Sequence, residues 1–364
     1  MNKESRPFTS LAFLWPALAA ETASEFASAM AREFVNFAVG PDAAMEARKP
    51  RWTTRNKVAL ELTAVRLRDF STGTEGIKTL VCAPFALHSA SIVDFAPDHS
   101  LVAALQAGGM GRIFVTDWRS ATRDMRLWSI DDYLSSLNVL VDELGGPLDL
   151  IGLCQGGWMA LIYAARFPGK VRKLVLAGAP IDIAAGQSRL STLAVNTPTS
   201  IFRELVELSG GRVLGHHMLK CWAPEFEREQ IYQLLEPNAE PGSPSFARLE
   251  WRFRDWYAWT VDLPGTYYLQ VVEQLFKENR LAAGKFVALG RRIDLSRLHG
   301  PVFLLAASED DTVAPEQVFA TERLVDARHC TITKSTATCG HLGLFMGRKV
   351  LASVWHDIAR WLAK

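Results

Sequence analysis

The sequence has no Cys-x-x-Cys pair and no even set of cysteines; its five are Cys82, Cys154, Cys221, Cys330 and Cys339. Their number and spacing argue against a disulfide framework and against a zinc site, and predict a reducing, cytoplasmic compartment. No run of Lys and Arg is dense enough for a nucleic-acid arm, and the formal net charge is +1, so no DNA or RNA partner is expected. No uncharged apolar stretch reaches the roughly 18 residues of a membrane span. Lys3 and Arg6 precede an apolar stretch from Leu11 to Ala20, and Ala17-Leu18-Ala19 imitates a signal-peptidase site. Glu4 and Pro16 interrupt that pattern, and a helix start is the expectation. Internal repeats and low-complexity tracts are also lacking.

What is present is a large potential core: 364 residues, 49% of them hydrophobic. Phe26, Met30, Phe34 and Phe37 recur at helical spacing over 20–38 and predict an amphipathic helix within an N-terminal segment, 1–50. That helix packs on the main domain or on a lipid-like surface. Pro41 and Lys49-Pro50-Arg51 read as a linker. Val58, Leu60, Leu62, Val65 and Leu67 predict one strand with an irregularity. Short apolar runs at 79–83 and 112–116 predict strands buried on both faces, and 148–153, 171–177 and 301–306 read as further strands. Helices are expected at 134–144, 158–165 and 350–362. Strands alternating with helices predict a mostly parallel sheet covered by helices over 51–364.

Between about 186 and 280 no buried strand is evident, while aromatics are dense, among them Phe202, Trp222, Trp251, Trp256, Tyr257 and Tyr267. The carboxyl end of an open parallel sheet is where active sites lie. The segment therefore predicts a mainly helical cap inserted over the site.

Gly152-Leu153-Cys154-Gln155-Gly156-Gly157 lies between a predicted strand and a predicted helix. This is the pattern of a nucleophile elbow with Cys in the place of Ser, and the class of fold it belongs to is the α/β-hydrolase fold. Gly152, Gly156 and Gly157 suit a turn too tight for side chains. The turn would lift the Cys154 sulfur above the sheet, where a helix N-terminus favours a thiolate. In this fold the orienting acid and then the His follow the nucleophile. Asp310 and Asp311 both qualify as the acid, directly after the strand at 301–306. Asp311-Thr312-Val313-Ala314-Pro315 has a D-x-V-x-P form, which favours Asp311. His341, flanked by Gly340 and Gly343 before the last helix, is the expected base. His216, His217, His329 and His356 are weaker candidates; His88, on the loop after 79–83, either touches substrate or faces solvent, and Cys339 reads as a packing residue. The oxyanion donors are expected to be the backbone N–H groups of Gln155 and of Phe85, or of Ala86 beside it. No metal or tightly bound cofactor is indicated.

Ile92-Val93-Asp94-Phe95, Val115-Thr116-Asp117-Trp118-Arg119, Asp131-Asp132-Tyr133 and the Gly152–Gly157 box resemble polyhydroxyalkanoate synthases over roughly 55–364. Leu80-Val81-Cys82-Ala83-Pro84, Asp262-Leu263-Pro264-Gly265 and Gly340-His341-Leu342-Gly343-Leu344-Phe345 are similar to intracellular polyhydroxybutyrate depolymerases. The resemblance implies an α/β-hydrolase fold with a Cys nucleophile and leaves two reactions open. One is synthase-like transfer of 3-hydroxyacyl groups from CoA through a Cys154 thioester; the other is hydrolysis of a polyester or thioester. It also implies a hydroxyacyl-CoA or polymer substrate, a granule surface, and a homodimer or second subunit as partners. A third reading is an inactive granule-binding scaffold.

Overall fold

The structure is a computed structural model that describes residues 48–222, 226–235 and 243–364. The amphipathic segment at 20–38, most of the N-terminal segment and parts of the cap lie outside the described residues.

Eight strands form one sheet: β1 (Lys57–Glu61), β2 (Val65–Asp69), β3 (Thr79–Cys82), β4 (Ile113–Trp118), β5 (Leu148–Leu153), β6 (Val171–Ala177), β7 (Gly300–Ala307) and β8 (Cys330–Ala337). Their spatial order is β1-β2-β4-β3-β5-β6-β7-β8. β3 to β8 run parallel, whereas β1 and β2 pair antiparallel with each other and β2 antiparallel with β4. Every residue of β3 and β5 is buried, which fits their mostly apolar sequences; the exception in β5, Asp149, is paired with Arg172. The outermost strand β1 is largely exposed and carries Lys57 and Glu61, charges that discourage edge-to-edge pairing.

Residues 57–69 form two strands, where the sequence pattern suggested one irregular strand. The shift in alternation between Leu62 and Val65 is a turn, closed by the Leu62 N–H donating to the Val65 carbonyl at 2.8 Å. The C-terminal helix is likewise broken into Arg348–Ala352 and Val354–Ala363. Ser353, whose hydroxyl donates back to the Lys349 carbonyl at 2.7 Å, marks the break.

Helices cover the sheet. α1 (Leu101–Ala107) starts at Ser100, whose side chain accepts from the Ala103 N–H at 2.9 Å. α2 (Ile130–Leu144) buries Tyr133, Leu134, Leu137, Leu140, Val141 and Leu144 at helical spacing. Its Asp132 carboxylate accepts from the Ser129 N–H at 2.7 Å. α3 (Gln155–Arg166) is buried from Gln155 to Ala165, so its sequence shows no polar stripe.

The inserted region is helical as expected: α4 (Arg189–Asn196), α5 (Thr199–Leu208), α6 (Gly215–Trp222), α7 (Arg228–Leu235), α8 (Pro244–Ala258) and α9 (Gly265–Gln270), which continues into a π-helical turn, Val271–Lys277. A two-residue ladder, Arg212–Val213 with Leu263–Pro264, pairs two stretches within it. Among the described residues no helix is long and apolar enough to cross a membrane.

Candidate active site

Cys154 sits between β5 and α3 with φ 47° and ψ −119°, a left-handed conformation that is costly for a non-glycine residue. The surroundings hold it there. The Cys154 N–H donates to the Ala177 carbonyl at 2.9 Å, and the Cys154 carbonyl accepts from the Gly157 N–H at 2.8 Å. A Cβ at Gly156 would meet the Cys82 carbonyl oxygen at 2.2 Å, and one at Gly157 would meet Ala179 Cβ at 2.3 Å. A Cβ at Gly152 would lie 2.6 Å from Gly157 Cα. The three glycines thus let α3 press against β3 and β6 while the turn stays sharp.

His341 is hydrogen-bonded to Cys154. Its Nδ1 donates to Asp310 Oδ2 at 2.7 Å. Burial disfavours the imidazolium, but the Asp310 carboxylate and the Cys154 sulfur, both hydrogen-bonded to the ring, outweigh it and hold the His341 pKa well above its ordinary value. The arrangement favours an imidazolium beside the Cys154 sulfur.

The acid beside His341 is therefore Asp310, and the preference for Asp311 is corrected. Neighbouring residues in an extended turn project to opposite sides, so only one of the two reaches the His341 ring. The Asp310 side chain is fully buried, and its Oδ1 accepts from the Thr312 and Val313 N–H groups, each at 2.9 Å. Asp311 is 68% exposed in its side chain and pairs with Arg189 at 3.4 Å.

Gln155 and Phe85 line the same cavity as Cys154 and His341. The Gln155 N–H is the first of the orphan donors at the start of α3. Its side chain is kept out of the way by the Trp158 indole, which donates to Gln155 Oε1 at 2.6 Å. Phe85 is anchored by its ring, stacked on Tyr133 with centroids 4.4 Å apart.

The cavity has a volume of about 850 Å³. Cap residues Leu193, Phe202, Tyr268 and Val272 make one part of its wall, and Phe345 and Val350 another. Arg348, Lys349 and Gln233 are among its polar residues. Cys339 also lines it, and burial, followed by Asp310 and Glu309 nearby, pushes that thiol up to about 12. His88 lines it as well, although the sequence left a loop His facing solvent equally open. Its ring is held between Trp256 and Tyr257, each with centroids 4.6 Å away. Burial, partly offset by a hydrogen bond to the Trp259 backbone, pushes His88 down to about 3, so it is neutral. Among the described residues no group of three or more His, Cys, Asp and Glu side chains is placed to hold a metal ion.

The sheet order, the strained nucleophile turn and the helical cap define the α/β-hydrolase fold. Solved structures share it: a Paleococcus ferrophilus monoacylglycerol lipase superposes with a TM-score of 0.53 at 16% identity, over 82% of this chain and 98% of that one. An enol-lactonase from Burkholderia xenovorans LB400 gives 0.53 at 15% identity, over 82% and 97%. Among sequences, the poly(3-hydroxyalkanoate) polymerase subunit PhaC of Synechocystis is 29% identical over 294 residues, 75% of this chain and 74% of that protein. Its namesake from Haloferax mediterranei is 24% identical over 328 residues, 85% of this chain; the alignment spans 64% of the relative's length. Residues 235–364 match the family described as PHB de-polymerase C-terminus. The chain thus has the α/β-hydrolase fold and is similar to polyhydroxyalkanoate polymerases over most of its length and to polyhydroxybutyrate depolymerases over its C-terminal third.

Proposed function

We propose that this chain is a Cys-His-Asp acyl-transfer enzyme that accepts 3-hydroxyacyl groups from CoA as a thioester on Cys154. The observation that carries the reading is the hydrogen-bonded series Cys154–His341–Asp310 on the wall of a large, mainly apolar cavity. The Cys154 thiolate attacks the acyl carbonyl, and the N–H groups of Gln155 and Phe85 receive the oxyanion. As the intermediate collapses, the C–S bond to CoA breaks and His341 gives its proton to the departing thiolate. His341 then accepts the proton of the attacking hydroxyl, which displaces the Cys154 sulfur and takes the acyl group. Asp310 keeps the His341 Nε2 lone pair aimed at this proton traffic and stabilises the imidazolium.

A thiolate exchanges with a CoA thioester at almost no cost, because one thioester replaces another. Attack on an oxygen ester runs uphill, since alkoxide leaves less readily than thiolate. The relatives named as polymerase subunits support the same direction. A second reading, hydrolysis of a hydroxyalkanoate ester or thioester, is favoured by the depolymerase match over 235–364, which contains both Asp310 and His341. The two diverge at the acceptor, a chain-end hydroxyl or water. A paired assay with 3-hydroxybutyryl-CoA, following CoA release and product size, separates them, with Cys154→Ala as control. CoA release with polymer supports transfer, CoA release with free hydroxy acid alone supports hydrolysis, and no CoA release overturns the CoA reading.

A further inference from the structure

The loop after β3 carries the Phe85 N–H, and four of its residues are fastened to one stretch of the cap, 256–267. The Tyr267 hydroxyl donates to the Phe85 carbonyl at 3.4 Å, and the Val261 N–H donates to the Leu87 carbonyl at 3.0 Å. His88 forms an isolated antiparallel bridge with Thr260. The Trp256 indole donates to the Ser89 carbonyl at 3.4 Å. On the other side the sheet domain holds the loop through Ala83, whose N–H donates to Thr116 Oγ1 at 3.0 Å and whose carbonyl accepts from Trp118 Nε1 at 2.9 Å, and through the Phe85 ring against Tyr133 and Trp118.

His88 is the centre of this fastening. Its ring fills the slot between Trp256 and Tyr257 and is bonded to the Trp259 backbone, while its Nδ1 is buried with no partner among the described residues. An unpaired buried nitrogen is a cost that the stack must offset. Pushed down to about 3 by burial, the ring stays neutral and is a poor proton acceptor for Cys154. What it does is tie the loop to the cap three residues beyond Phe85. Oxyanion donors act only when held within a few tenths of an ångström of the developing charge, and a 1 Å misplacement costs on the order of 100-fold in rate.

We propose that His88 is a positioning residue, riveted between Trp256 and Tyr257, that couples the cap to the oxyanion loop, so that Cys154 is acylated efficiently only while the cap is seated. The proposal rests on the acyl-transfer reading above. It makes the cap part of the support of the catalytic centre as well as a wall of the cavity.

The test compares two reactions of the same sulfur. Acylation of Cys154 by 4-nitrophenyl acetate passes through an oxyanion; alkylation by iodoacetamide does not. In His88→Ala the acylation rate is expected to fall about 100-fold, with the alkylation rate and melting temperature unchanged. Tyr257→Leu, made from the cap side, is expected to reproduce the selective loss and carries the test alone should His88→Ala not fold. His88→Phe, which keeps a ring in the slot, is expected to retain most of the acylation rate. An equal fall in both reactions, or no fall in either, overturns the proposal. A wild-type enzyme that 4-nitrophenyl acetate acylates but 3-hydroxybutyryl-CoA does not would sink the CoA reading while leaving this one standing. A wild-type enzyme acylated by neither would end both.

Discussion

His341 Nδ1 and Asp310 Oδ2 are 2.7 Å apart, whereas Asp311, one residue on, pairs with Arg189 at 3.4 Å. The difference gives an unambiguous mutational contrast. Asp310→Asn keeps the oxygen that accepts from Thr312 and Val313 but offers His341 the wrong partner. Its turnover is expected to fall by up to about 10⁴-fold, as for an orienting acid. Asp311→Asn, which loses only an exposed ion pair, is expected to stay within a few-fold of wild type. Steady-state kinetics on one thioester substrate compares them.

The same contact has a pH signature. His341 is raised in the folded state, so the stability it contributes is fully present below its ordinary value of 6.5 and is lost as pH rises through the raised folded value. Above the carboxylate range, the stability difference between wild type and Asp310→Asn is therefore expected to be greatest near pH 5 to 6.5, about the span between ordinary carboxylate and imidazole titration. It should shrink as the solution becomes more alkaline. Urea unfolding at a series of pH values measures it; a difference that grows with pH would show that the pair does not hold the proton assigned to it.

The elbow glycines make a stability prediction. A Cβ at Gly156 has no room against the Cys82 carbonyl, which is strand backbone and cannot swing aside. Gly156→Ala is expected to cost about 1–3 kcal/mol by overpacking and to displace Cys154 from its strained turn. Both a lowered urea midpoint and lost alkylation at Cys154 should follow.

The cap wall sets the acyl pocket. Ala194 lines the cavity beside Leu193 and Phe202. Ala194→Phe is expected to shorten the acyl chain preferred, cutting kcat/KM for medium-chain relative to four-carbon thioesters by about 10-fold or more, since a single methylene in an apolar pocket is worth roughly 10- to 200-fold. An unchanged ratio would place the chain elsewhere.

Much of this architecture is legible in the sequence, for physical reasons that also mark where legibility stops. Leu148–Leu153 and Val171–Ala177 read correctly to the residue because strands buried on both faces are mostly apolar and short. Gly152, Gly156 and Gly157 announce the tight turn around Cys154 because no other residue fits there. The hairpin at 57–69 misled because its turn, Leu62 to Val65, lacks Gly and Pro and shows only as a shift of phase. Asp310 could not be separated from Asp311 by composition. The direction of each side chain depends on a turn whose hydrogen bonds, from Thr312 and Val313 to Asp310, exist only once it has formed. His88 was ambiguous because its partners, Trp256 and Tyr257, lie far along the chain.

The most direct test of the central claim is mass spectrometry of the enzyme quenched during its reaction with 3-hydroxybutyryl-CoA. The account predicts a base-labile hydroxybutyryl adduct on the peptide that carries Cys154, absent in Cys154→Ala. CoA release with no adduct at Cys154, or an adduct that persists in Cys154→Ala, would contradict it.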